Sequence, residues 1–291
     1  MPLVSTGELV TAAGAGNHGI AAFNVITLEH AEAIATGAER AGAPAILQIS
    51  ENAVKFHGGD PGAVTAAAAA VARASSVPLS LHLDHVESAA LLRAAPEAGF
   101  SSVMFDASKL PYAENLAATA EAVRWGHDHG IWVEAELGAV GGKDGEPSLD
   151  AHAPGVRTDP AEAAVYVTGT GVDALAVAVG SSHAMTHRTA VLDHTLIAAL
   201  RDAVPVPLVL HGSSGVPDEE IRRAVASGMV KINVGTALNT AFTGAVRDYL
   251  AAHPTTVDPR KYLVPAREAM AGTVAGFLRV VGVPASGRVR D

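Results

Sequence analysis

The chain has 291 residues, 49% of them hydrophobic but only 4% aromatic, and its Ala- and Val-rich apolar content suits short buried strands under closely packed helices. With 30 acidic against 20 basic residues the formal charge is −10, which excludes a general nucleic-acid or anionic-membrane surface. The 13 histidines and the absence of cysteine exclude disulfides, thiolate-bound metal and a thiol nucleophile, so any metal must be held by imidazole and carboxylate.

The opening residues, Met1 to Val10, contain no basic stretch followed by an apolar one. No later apolar run is long enough to cross a bilayer, so the expectation is a soluble cytoplasmic protein. Ser5 and Glu8 have capping-box spacing and predict a first helix. Eight apolar runs then read as strands: Ile20 to Val25, Ala45 to Ile49, Leu79 to Leu83, Ser102 to Phe105, Ile131 to Glu136, Ala174 to Val179, Leu208 to Leu210 and Val230 to Val234. The segments between them have helical composition, and several end in glycine just before the next strand: Gly42, Gly99, Gly130, Gly171 and Gly228. Pro217, Asp218 and Glu219 open the helix before Gly228. The polar stretch Gly138 to Thr158 follows the fifth strand and predicts a mobile active-site loop. From about Ala252 onward a loop and terminal helix, announced by Asp258-Pro259-Arg260, form a C-terminal extension over residues 252–291.

Strand and helix in regular alternation imply a parallel sheet, and eight repeats in a chain of this length favour a (β/α)8 TIM barrel over an open sheet. No linker divides residues 1–291, so a single domain is expected.

In such a barrel, chemistry gathers at the carboxyl ends of the strands. Polar residues occupy these positions in turn: Asn24, Ser50, Asp84 with His85, Asp106, Glu136, His183, His211 and Asn233. One histidine ending a strand usually serves as a hydrogen-bonded structural residue. Three meeting at one rim beside carboxylates form a three-imidazole metal site with an open position for substrate or water. After strands seven and eight, His211-Gly212-Ser213-Ser214-Gly215 and Asn233-Val234-Gly235-Thr236 supply backbone N–H groups and hydroxyls at a helix start. This is the usual barrel position for a phosphate.

These residues resemble the class II (metal-dependent) fructose- and tagatose-bisphosphate aldolases, from Phe23-Asn24-Val25 to Asp258-Pro259-Arg260-Lys261-Tyr262. The specific stretches are Leu81 to His85, Val133 to Gly138 with Gly141-Gly142, Leu210-His211-Gly212 with Ser214-Gly215, and Lys231-Ile232-Asn233. The resemblance implies Zn2+, replaceable by another divalent cation, on His85, His183 and His211, together with a monovalent cation. It implies Asp84 as the group that moves the proton of the aldehyde oxygen, Asn233 as a hydrogen-bond donor to the reacting species, and Asp106 and Glu136 as carboxylates that orient ligands or hold a second cation position. Asn24 and Ser50 match substrate contacts. Gly212, Ser214, Asn233 and Thr236 match one phosphate site, and Arg260 matches the arginine that meets the other phosphate from a neighbouring subunit of a homodimer or homotetramer.

The sequence departs from the family pattern in four places. Asp144 stands where a loop glutamate removes the substrate proton, and it is one methylene shorter. Ala184 and Ser213 each replace a glycine, and Gly235 replaces an aspartate found in one fructose-bisphosphate branch, which points to the broader ketose-bisphosphate branch. The leading expectation is reversible aldol cleavage of a ketose 1,6-bisphosphate. The alternatives are a zinc hydrolase acting on a phosphorylated small molecule and a sugar-phosphate-binding barrel with weak turnover.

Overall fold

The computed structural model describes residues 2–138, 140 and 156–282. Its eight parallel strands are β1 (Ile20–Asn24), β2 (Ala45–Ser50), β3 (Leu79–Val86), β4 (Ser102–Phe105), β5 (Trp132–Leu137), β6 (Ala174–Val177), β7 (Leu208–Leu210) and β8 (Met229–Val234). They follow one another in chain order, and β8 pairs with β1 to close the barrel. The fold is therefore the (β/α)8 barrel that the alternation predicts. Among the described residues no helix is long and apolar enough to cross a membrane.

The helices are α1 (Thr6–Ala15), α2 (Leu28–Ala41), α3 (Glu51–Phe56), α4 (Gly62–Ala74), α5 (Ala89–Ala98), α6 (Tyr112–Asp128), α7 (Pro160–Thr170), α8 (His194–Ala203), α9 (Asp218–Ser227), α10 (Thr236–Ala252) and α11 (Pro259–Val281). Local signals set their limits. Ser5 accepts from the Glu8 N–H while Glu8 accepts from the Ser5 N–H, so the capping box forms. Gly171 ends α7 at φ 72°, a left-handed turn that glycine makes without a Cβ penalty.

Strand residues alternate between two cores. Outward-facing residues such as Phe23, Leu47, Leu81, Val133 and Leu175 are fully or almost fully buried under the helices. At the amino end, Ile20, Ala22 and Ile46 face inward and meet Leu9, Val10 and Ala13 of α1. The Thr6 hydroxyl donates to Ser80 Oγ at 3.0 Å, fastening α1 across that end of the barrel. At the other extreme α10 buries only Leu238, and the buried residues of α11 begin at Ala266. The first turns of α11 therefore stand clear of the barrel while its later part packs against α2 and ends beside Gly19.

Candidate active site

Side chains of a regular strand alternate between faces, so Asp84 and His85 would ordinarily point to opposite sides of β3. They do not, because the register of β3 against β4 steps from Leu83↔Val103 to Val86↔Phe105, leaving one extra residue on β3. His85 absorbs this bulge at φ 48°, a conformation that costs a non-glycine residue about 1–2 kcal/mol. The cost delivers both side chains to the same cavity. His85 then donates from Nδ1 to Asp106 Oδ2 at 2.9 Å. Asp106 is itself held, since its Oδ1 accepts from the Ser108 N–H at 3.1 Å and the Ser108 hydroxyl at 2.6 Å.

His183 and His211 come from the loops after β6 and β7, which are joined at close range. The Ser181 hydroxyl donates to the His211 carbonyl at 2.7 Å. Gly212 sits at φ 67°, and a Cβ there would fall 2.5 Å from the Ser182 carbonyl oxygen, so glycine is what lets the two loops meet. Ring centroids of His85 and His211 are 4.9 Å apart, those of His85 and His183 5.2 Å, and those of His183 and His211 5.7 Å. One ligand atom from each of the three lies within 4.8 Å of the others. A donor set of three imidazoles without sulfur suits a divalent cation of intermediate softness.

The electrostatics of this cluster are those of buried, interlocked charges. Burial alone would lower the His211 pKa, but contacts from Nδ1 to Glu136 at 2.7 Å and from Nε2 to Glu134 at 3.0 Å outweigh it. Its pKa is pushed up to about 9. Burial alone would raise the Asp84 carboxyl, yet the charges of His85, His82 and Lys231 prevail and hold it well below the usual carboxylate range. Asp84 Oδ2 lies 3.8 Å from His85 Nε2.

The cavity at the carboxyl ends of the strands has a volume of about 600 Å³ and is bordered by Asn24, Ser50, Asp84, His85, Asp106, His183, Gly212, Ser214, Asn233 and Thr236. The structure thus brings these sequence-predicted positions together, with His211 and Glu136 buried directly against them. Ser214 Oγ accepts from the Ala237 N–H at 3.0 Å, which binds the β7 loop to the first turn of α10. The replaced glycines behave differently from each other. Ser213 turns its hydroxyl to the Leu210 carbonyl at 3.1 Å and does not border the cavity, whereas Ala184 borders it at φ 57°. At Gly235 a Cβ would lie 3.0 Å from Asn24 Nδ2, so a larger residue would displace that amide.

Arg260 is not part of this constellation. It is mostly exposed, at 87%, and is folded back onto Asp258 with an ion pair of 2.8 Å. Asp144 lies outside the described residues, as does most of the predicted loop 138–158. At the end of that stretch the Thr158 hydroxyl donates to the Leu137 carbonyl at 2.5 Å and accepts from the Ala178 N–H at 2.8 Å.

Sequence reasoning passed over a layer one step deeper. Gln48, His82, Glu134 and Lys231 are buried and face the barrel interior, Gln48 at the cavity wall and the other three beneath it. Each precedes a rim residue by two positions, the strand repeat that places both on one face: Gln48 with Ser50, His82 with Asp84, Glu134 with Glu136, Lys231 with Asn233. That repeat was the available signal. Lys55, Phe56 and Lys109 also border the opening, but nothing in their sequence context marks them.

Comparison with known proteins covers nearly the whole chain. The family model described as Fructose-bisphosphate aldolase class-II matches residues 4–285. A fructose-bisphosphate aldolase of Geobacillus stearothermophilus is 41% identical over 283 residues, or 97% of this chain and 98% of that one. The crystal structure of the YdjI aldolase from Escherichia coli K12 matches with a TM-score of 0.82 and 31% identity, covering 96% of this chain and 97% of its own. Fructose-bisphosphate aldolase from Campylobacter jejuni, at 23% identity and a TM-score of 0.80 over 98% of this chain and 97% of its own, shares the fold.

Proposed function

Since the chain belongs to the class-II fructose-bisphosphate aldolase family, we propose that it carries out the zinc-dependent, reversible aldol cleavage of a ketose 1,6-bisphosphate, fructose or tagatose. The products are dihydroxyacetone phosphate and glyceraldehyde 3-phosphate. The observation that carries this reading is the approach of His85, His183 and His211 to within 4.8 Å beside a cavity whose wall includes Gly212, Ser214 and Thr236. When bound by these imidazoles, a divalent cation would supply Lewis acidity, offsetting the negative charge that develops next to the ketone as the carbon–carbon bond breaks.

The remaining roles belong to the chain's own groups. Asp84, kept ionised by its neighbours, accepts the proton of the C4 hydroxyl as that carbon becomes the aldehyde, and returns it in condensation. Asp106 and Glu136 fix the rings of His85 and His211 through their Nδ1 contacts. Asn24 and Ser50 contact the substrate, and Asn233 donates to its developing charge. Gly212, Ser214, Asn233 and Thr236 hold one phosphate, aided by the start of α10. Asp144 exchanges the proton on carbon.

Arg260 meets the second phosphate from a neighbouring copy in a homodimer or homotetramer. Supporting this, its guanidinium stands on the projecting start of α11 and does not border the cavity of its own chain.

The test is a coupled assay of zinc-loaded protein with fructose 1,6-bisphosphate and tagatose 1,6-bisphosphate side by side, before and after chelation. Cleavage of at least one, abolished by chelator and restored by zinc, is expected. Absence of cleavage of both, or cleavage indifferent to chelation, would overturn the reading.

A further inference from the structure

Lys231 is the one lysine among the buried residues described here, with no exposure to solvent. Its ammonium contacts three oxygens: Glu134 Oε2 at 2.8 Å, Asn233 Oδ1 at 2.8 Å and Gln48 Oε1 at 3.4 Å. Balancing Glu134 accounts for the charge, but not for the two amides.

An ammonium has three donors and no acceptor, whereas a side-chain amide has an oxygen that accepts and a nitrogen that donates. Whichever amide faces Lys231 must therefore turn its oxygen inward. For Asn233 this sends the NH2 group toward the cavity that the residue borders. For Gln48 it frees the NH2 group to donate sideways, and Gln48 Nε2 does donate to Asn24 Oδ1 at 2.8 Å. Asn24, with its oxygen committed, is left with Nδ2 on its other side, next to Gly235 at the cavity wall. One cation thereby dictates the orientation of three amides in series. Reversing any of them would set two donors against each other in a buried place, where an unpaired polar group is costly.

We propose that Lys231 is a positioning residue, locking Asn233 directly and Asn24 through Gln48 so that both present NH2 donors to the oxygens of the substrate. The proposal rests on the reading of the cavity as the site of an oxygen-rich sugar phosphate. It extends that reading by naming what makes the wall a donor surface.

Two measurements test it. Neutron diffraction from the wild-type protein without substrate should place the exchanged amide deuteriums of Asn24 and Asn233 on the cavity side; an amide oxygen facing the cavity at either residue overturns the proposal whatever the enzyme's activity. Kinetics then ask whether Lys231 acts through these amides. Lys231→Met should lower kcat/KM by about 100-fold, the scale for losing an oriented donor, with zinc content retained. In an Asn24→Ala, Asn233→Ala background the same change should cost less than about 3-fold, because coupled residues are non-additive. A full loss repeated in that background would mean that Lys231 acts otherwise. Should Lys231→Met fail to fold, Lys231→Arg keeps the charge while altering the contacts and takes its place in the cycle. Inactivity of the wild type on both bisphosphates would count against the proposed reaction, leaving the neutron map to judge the locking.

Discussion

Asp84 and His85 are neighbours in sequence on one strand, yet both side chains enter the same cavity, because the extra residue of β3 against β4 places His85 at φ 48°. The proposed proton-transfer carboxylate and a metal-ligand candidate are thereby set side by side from a single strand. Removing the carboxylate should separate their roles: Asp84→Ala is expected to retain zinc while losing turnover by about 100-fold or more, the range of general acid–base contributions. Zinc content and kcat measured on the same preparation check it, and undiminished turnover would take Asp84 out of the mechanism.

A second expectation concerns covalent chemistry. Lys231 is buried and bound to Glu134 at 2.8 Å, and the two lysines that border the cavity, Lys55 and Lys109, are ion-paired with Glu51 at 2.9 Å and Glu87 at 2.8 Å. Borohydride added with substrate should therefore trap no adduct, and mass spectrometry of the treated protein should show its unmodified mass. A mass gain equal to a reduced imine would defeat the metal-dependent reading.

Ala184 provides a stability test. Its φ of 57° is a left-handed conformation that costs a residue with a Cβ roughly 1–2 kcal/mol, while glycine forfeits about 0.4–1 kcal/mol through the freer unfolded chain. The first effect is the larger, so Ala184→Gly should stabilise the fold by about 0.5–1 kcal/mol. Urea unfolding of the two proteins decides the sign; a destabilised variant would show that the loop does not hold this conformation in solution.

Glu51 gives the acid limb of stability a definite origin. Burial would raise its pKa, but Lys55 at 2.9 Å and the N–H groups of Glu87 and Ser88 at 2.8 and 3.1 Å lower it below its ordinary value of 4.5. A folded pKa below the unfolded one means stability that is fully present above about pH 4.5 and lost as the pH falls through the folded value. Glu51→Gln should flatten the dependence of stability on pH below 4.5 while leaving its shape near neutrality unchanged. Unfolding curves collected across that range would show the same slope in both proteins if Glu51 were not responsible.

The loop carboxylate can be tested by lengthening it. Asp144→Glu restores the reach that a base needs to come within one hydrogen bond of its proton, so kcat should be kept or raised; a fall of tenfold or more would argue that Asp144 is not the base.

The barrel was legible from the alternation of apolar runs with glycine-terminated helices, because strand periodicity and helix stops are local properties. The rim residues were legible because strand ends are where polar residues interrupt an apolar run. The layer of Gln48, Glu134 and Lys231 was less visible: each sits inside a strand, where a polar residue reads as a break in the pattern until the barrel closes and gives it partners on other strands. The bulge at His85 is a mismatch between two strands that neither strand encodes alone. Arg260 was found by resemblance, but its distance from the cavity of its own chain is a property of the projecting α10–α11 pair.

The helix α1 has a consequence for traffic through the barrel. With Leu9, Val10 and Ala13 packed into its amino end and Thr6 fastened to Ser80, the reaction chamber has a floor, and among the described residues it opens at the carboxyl ends of the strands. Both fragments of a cleaved sugar depart by the way the whole molecule came in.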